Sequence, residues 1–141
     1  MSSTIAMHLA PSADNVAAYA AEAVKNFIRI ENTNLDYSIN SLKHLDRVLQ
    51  EWKEQNAPVG ALNKSLFAMG AYAGEVLLKN RPGKWQAPSG KNQKDLQKAF
   101  ISIKLDNQKE WNPIYNAFLI MLCPTEATAQ CLFSETILAA L

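Results

Sequence analysis

The amino-acid sequence predicts an α+β fold that is mainly helical, with about five helices and a small two- or three-stranded antiparallel sheet between helices three and four. Three observations predict it. Apolar residues recur every three or four positions from about residue 16 to 79 and again from 114 to 138, the period of helices with one buried face. Between these blocks, Phe100 to Leu105 alternates with period two, as a half-buried strand does. Pro and Gly punctuate the changes, at Pro58, Gly60, Pro82-Gly83, Pro113 and Pro124.

The first helix is predicted from about Ser12 to Arg29, with Val16, Tyr19, Ala20, Ala23 and Phe27 on its buried stripe. Glu31 to Asn34 reads as a loop. Asp36-Tyr37-Ser38 opens the second helix, where the Ser38 hydroxyl can accept from an otherwise unpaired amide of the first turn. Leu42, Leu45, Leu49 and Trp52 mark its core side. The third helix runs from about Leu62 to Lys79, and inside it lies Gly70-Ala71-Tyr72-Ala73-Gly74. A helical glycine costs about 1 kcal/mol relative to alanine. Two of them one turn apart predict close approach of another backbone, expected from helix one or two.

Arg81-Pro82-Gly83 breaks that helix. Trp85-Gln86 begins a short strand, Pro88 to Asn92 is a turn, and Asp106-Asn107 turns the chain towards a third strand at Lys109 to Trp111. Asn112-Pro113 starts the fourth helix, with Asn112 as its cap and Ile114, Phe118, Leu119 and Leu122 along it. Pro124 ends it, and Thr125 caps a last helix whose buried face is Leu132, Phe133, Ile137 and Leu138.

The chain has 141 residues, a size that suits one domain, with residues 1–11 as a flexible tail. Its 48% hydrophobic and 19% charged content fits a packed globule. No basic residue precedes the short apolar stretch near the start, and no apolar run reaches the ~20 residues of a membrane span, so a cytoplasmic protein is expected. Cys123 and Cys131 have no zinc spacing and read as small apolar residues in a reducing compartment. No metal site, cofactor or catalytic motif is predicted.

Charge is uneven. Residues 79–109 carry eight basic side chains against Asp95 and Asp106, whereas residues 110–141 carry only Glu110, Glu126 and Glu135. The expected function is therefore a non-enzymatic protein-interaction module, of an inhibitor or immunity type. Its contact surface would lie between Arg81 and Lys109, with Trp85 as anchor beside Lys84, Lys104 and Trp111. Nucleic acid or another anionic ligand on the same basic segment is the alternative. The segment also suits a solvated sheet edge, where lysines discourage aggregation.

Glu75 stands at the margin of the third helix's buried face. It would act as a polar anchor in a cleft, or be held by an ion pair or by an indole N–H such as that of Trp85. Asp36 and Ser38 join it as polar residues with structural or cleft roles. His44 lies near Asp36 and Asp46, but off the Leu42/Leu45/Leu49 stripe, so a general-base role is not expected.

Several pieces resemble a family of small bacterial proteins of uncharacterised function. They are Asp36-Tyr37-Ser38 with Ser41-Leu42 and Leu45-Asp46, then Gly70-Ala71-Tyr72-Ala73-Gly74-Glu75-Val76-Leu77, Gly83-Lys84-Trp85, a strand pair, and Asn112-Pro113. The resemblance spans roughly residues 35 to 120. It implies a helical layer on a small antiparallel sheet and brings no activity, cofactor or catalytic residue. Arg81-Pro82-Gly83 departs from the pattern, which has a small residue there.

Overall fold

The computed structural model describes residues 12–87 and 100–141. The elements run α1 (Val16–Glu31), α2 (Leu42–Glu54), α3 (Asn63–Asn80), β1 (Gly83–Gln86), β2 (Ser102–Leu105), β3 (Glu110–Trp111), α4 (Pro113–Leu122), α5 (Thr128–Cys131) and α6 (Phe133–Ala140). Short 3₁₀ turns precede α1, α2, α3 and α5. The predicted tail, residues 1–11, and the turn at Pro88 to Asn92 lie outside the described residues.

α3 is the central element. Its buried residues run without a gap from Ser65 to Gly74 and resume at Val76 and Leu77. A helix enclosed on nearly all sides must have neighbours on several faces. α1 covers one of them, bringing Ala20 and Ala23 and setting Tyr19 edge-on to Phe67 at 4.7 Å. α1 ends at Asn32 in the left-handed conformation, with the Thr33 amide donating to the Phe27 carbonyl at 2.9 Å.

The glycine pair serves other faces than expected. A Cβ on Gly70 would stand 2.5 Å from Cα of Ile114, so this is where the α4 backbone crosses. A Cβ on Gly74 would run into the Trp85 ring and Ile103 of the sheet. The close approach therefore comes from α4 and the sheet, not from α1 or α2. α1 reaches α3 through alanines of its own, which leaves the glycines for elements that follow in the chain.

The sheet has the order β1-β2-β3, antiparallel throughout. Trp85, Ile103 and Trp111 pair across it on one face, and Lys84, Lys104 and Glu110 on the other. The first row turns inward: Ile103 is fully buried and Trp111 nearly so. The outer face is not all solvent. Ser102 is buried beneath Gln86, whose amide donates to its hydroxyl at 2.9 Å, and Phe100 leans on Tyr115 and Phe118.

The C-terminal helices depart most from expectation. Asn112 does not cap α4 with its side chain, although Pro113 occupies the first turn as predicted. The buried face of α4 is Ile114, Ala117, Ile120 and Met121, while Leu122 is 67% exposed. α4 is apolar almost all round, so its sequence period does not single out one face. Thr125 does not cap either. The single last helix is instead interrupted at Leu132, whose backbone is extended, and α6 buries Phe133, Ile137 and Ala140 but exposes Leu138.

Gly70→Ala should lower stability. Overpacking against a fixed backbone costs about 1–3 kcal/mol, which outweighs most or all of the ~1 kcal/mol gained in helix propensity. Gly60→Ala, with nothing within 4 Å of the added Cβ, is the control and should be neutral or slightly stabilising. Urea denaturation of both variants checks this.

Candidate functional site

The residues singled out from the sequence fall in different places. Lys84 and Lys104 are direct cross-strand neighbours on the outer face, both exposed. Arg81 ends α3 and lies 3.8 Å from Asp106. Trp85 and Trp111 belong to the inward row, so they do not share a surface with the lysines. Trp85 is half-buried, and its ring packs on the Gly74 gap in α3.

Asp36, Ser38 and Glu75 gather at the start of α2. The Asp36 carboxylate accepts from the Ser38 hydroxyl at 2.6 Å and its amide at 3.1 Å, and these bonds hold Asp36 below the ordinary carboxylate range. Ser38 in turn accepts from the Ser41 amide at 3.2 Å, which is the predicted cap. Tyr37 has a positive φ of 63°, and its amide donates to the Tyr72 hydroxyl at 2.8 Å. That hydroxyl also meets Ser41 Oγ at 2.7 Å, so one α3 side chain fixes the entry to α2. Glu75 is half-buried beside this corner. Burial raises its pKa, and Lys79 one turn on partly opposes the rise. Lys79 also lies 5.2 Å from the Tyr37 ring centre. The Trp85 indole N–H has no partner among the described residues, so the expected bond to Glu75 is not made. These bonds join the start of α2 to α3.

His44 and Asp46 do not meet as an acid–base pair. Asp46 is 4% exposed and points across to α6. Its two carboxylate oxygens accept from the Phe133 amide at 2.7 Å and the Ser134 amide at 3.1 Å. The Glu135 and Thr136 amides go to the Leu132 carbonyl, so all four first-turn donors of α6 are satisfied. Two turns further along α2, the Lys53 ammonium donates to the Ile120 carbonyl at 2.8 Å and to the Cys123 carbonyl. One helix thus places an anion at the start of α6 and a cation at the end of α4, each matching the local dipole.

These two anchors set the walls of the largest groove among those described, about 590 Å³ between β3, α4 and α6. Glu110 and Glu135 stand exposed at its rim, with Trp111, Asn112, Leu119 and Thr136 among its lining. Three polar atoms in this wall are buried without a hydrogen-bond partner among the described residues: Trp111 Nε1, Asn112 Oδ1 and Thr136 Oγ1. Each such atom costs about 1–3 kcal/mol. Lys109 lies near the rim, donating to the Ala139 carbonyl at 3.3 Å. Of the residues foreseen from sequence, Trp111 alone lines this groove. Asn112, Glu135 and Thr136 were missed as site residues because nothing local joins them.

No family model matches the chain, and no curated protein or solved structure is similar to it. Among the described residues there is no cluster of His, Cys, Asp or Glu able to hold a metal, and no helix is long and apolar enough to cross a membrane.

Burial raises the Asp46 pKa more than its bonds to the Ser134 side chain and to the Ser134 and Phe133 amides lower it, and the nearby Glu135 charge adds to the rise. A carboxyl whose folded value is raised stabilises the fold fully below its unfolded value, and that contribution is lost as pH rises through the folded value. The stability difference between the native protein and Asp46→Asn should therefore grow as pH falls from neutral towards about 4. Paired urea titrations across that range measure it.

Proposed function

We propose that this protein is a non-enzymatic interaction module, of an inhibitor or immunity type, and that its groove between β3, α4 and α6 receives a basic segment of another protein. One observation carries the reading: three buried polar atoms without partners are concentrated in one groove wall. Folded proteins rarely leave such groups unpaired, and clusters of them suit places where a partner completes the bonding. The rim supports the choice of partner. Glu110 and Glu135 border the groove, and residues 110–141 carry no basic side chain. Lys109 offsets part of this charge but is engaged with the Ala139 carbonyl. An arginine, with five N–H donors, suits Asn112 Oδ1, Thr136 Oγ1 and the two carboxylates together.

The resemblance over residues 35–120 enters this reading as a shared scaffold. Its pieces include Ser38, Asp46, Gly70, Gly74 and Trp85, the residues that hold α2, α3, α6 and the sheet together.

A second reading has its own observation. Lys84 and Lys104 face each other directly on the outer sheet face, where like charges oppose pairing. An anionic ligand or nucleic acid there would relieve that repulsion.

The test is an NMR titration with a short capped peptide of alternating arginine and alanine, beside its glutamate counterpart and a DNA oligonucleotide. The arginine peptide should shift the Trp111 indole N–H and the Asn112 side-chain amide, and Glu135→Lys should weaken binding about tenfold or more, ~1.4 kcal/mol. Silence at the groove with the arginine peptide would refute the primary reading. Shifts confined to Lys84 and Lys104 with the oligonucleotide would favour the second.

A further inference from the structure

The end of α4 holds a second feature, independent of the groove. Cys123 follows α4 directly, and Cys131 closes α5, with the turn at Pro124 bringing the chain back between them. The two thiols are near enough to influence each other's titration, and both side chains are partly exposed. Cys123 Sγ is 3.4 Å from the Lys53 ammonium and 3.6 Å from the Thr128 hydroxyl. A shallow groove of about 230 Å³ lined by Lys53, Glu54, Thr125 and Thr128 opens beside them.

This arrangement differs from two cysteines packed as small apolar residues, the expectation from spacing alone. The Lys53 ammonium, held by the Ile120 and Cys123 carbonyls, also stands against the sulfur. A neighbouring cation favours the thiolate, which is the nucleophile. Burial pushes the Cys123 thiol up, but hydrogen bonds from Thr128, Lys53 and Cys131, together with the Lys53 charge, outweigh it and bring it below the ordinary value. Cys131 moves the other way, raised by burial and by its neighbour Cys123. Of the two, Cys123, in contact with Lys53, gives up its proton more easily. Lys53 and Glu54 of α2 line the groove, Glu126 lies in the turn between the two cysteines, and Lys53 is in contact with sulfur.

We propose that Cys123 and Cys131 form a thiol–disulfide exchange site for low-molecular-weight disulfides, with Cys123 attacking, Cys131 resolving and Lys53 positioning the attacking thiolate. In the first step the Cys123 thiolate bonds to one sulfur of the small disulfide, whose S–S bond breaks and releases one thiolate. In the second, Cys131 gives its proton to that departing thiolate and bonds to Cys123 Sγ, which expels the other half of the small molecule as a thiolate. That thiolate takes a proton from water, restoring the one Cys123 had given up. Two protein thiols are oxidised to one disulfide, and one small disulfide is reduced to two thiols.

The consequence reaches the fold. A disulfide removes the sulfur anion that Lys53 faces, while its carbonyl bonds at the end of α4 remain. Oxidation therefore acts on the same lysine that anchors α4 to α2, and it ties α5 to that anchor.

The experiment treats the reduced full chain with oxidised glutathione at pH 7 and follows intact mass and the peptide that carries both cysteines. The native protein should lose two hydrogens and keep no adduct. Cys131→Ser should accumulate one glutathionyl group on Cys123, and Cys123→Ser should react at least about tenfold more slowly. Lys53→Met should slow capture at Cys123 by about threefold for each unit its pKa rises, since the loss of thiolate is partly offset by greater intrinsic nucleophilicity, and move its pH midpoint upward, while Lys53→Arg should restore the native profile. A native protein that stays unmodified, or carries glutathione on both cysteines, would overturn the proposal. So would first attack at Cys131. If Lys53→Met does not fold, the native, Cys131→Ser and Cys123→Ser arms decide the assignment of attacking and resolving thiols, and iodoacetamide alkylation of Cys131→Ser against pH decides the positioning role. A midpoint at or above the ordinary thiol value would overturn it.

Discussion

The structure depends on two charged side chains of α2 that hold the ends of other helices. Asp46 takes the two leading amides of α6, and Lys53 takes carbonyls at the close of α4. They lie two turns apart on one face of α2, with Leu49 and Trp52 buried between them. Neither α4 nor α6 is long enough to be stable alone. α6 has only eight residues and no cap from its own flank. Burying a carboxylate is costly unless its oxygens are bonded, and here the bonding partners are the same amides that would otherwise be orphans. The amide bonds offset part of that burial cost and fix where α6 stands.

The surface follows from that arrangement. With α6 placed by Asp46, its first turns bring Glu135 and Thr136 opposite Glu110, Trp111 and Asn112 of the strand-to-helix junction. With α4 held by Lys53, Cys123 emerges against the same ammonium group and within reach of Cys131. The groove and the thiol pair are thus two results of one clamp. The centre of the molecule is settled differently, by glycines in α3 that let α4 and the sheet reach the middle helix. Both kinds of contact meet at α4, which rests on Gly70 and is held at its end by Lys53.

The same division explains what could be read from the sequence. Helix period, the Ser38 cap, the Pro82-Gly83 break and the alternation around Ile103 are local signals, and the α+β fold with its small sheet follows from them. The glycine pair announced close approach but not its partner, since spacing within one helix carries no information about which neighbour arrives. Asn112 and Thr125 fit the local rule for caps, yet the working cap of α6 is Asp46, 87 residues away from Phe133. No local signal on α2 marked it as the cap of a helix so distant in the chain. Trp85 and Trp111 were visible as large side chains, but their facing needed the strand register. Cys123 looked inert because Lys53, 70 residues away from it, could not be connected with it from spacing.

The clamp can be measured directly by native-state hydrogen exchange at the Phe133 and Ser134 amides. First-turn amides of a helix have no intrahelical acceptor and ordinarily exchange fast. If Asp46 holds them, both should be protected to a level near that of buried amides in α3. Exchange at the rate of exposed first-turn amides would contradict the Asp46 anchor, and with it the position assigned to α6.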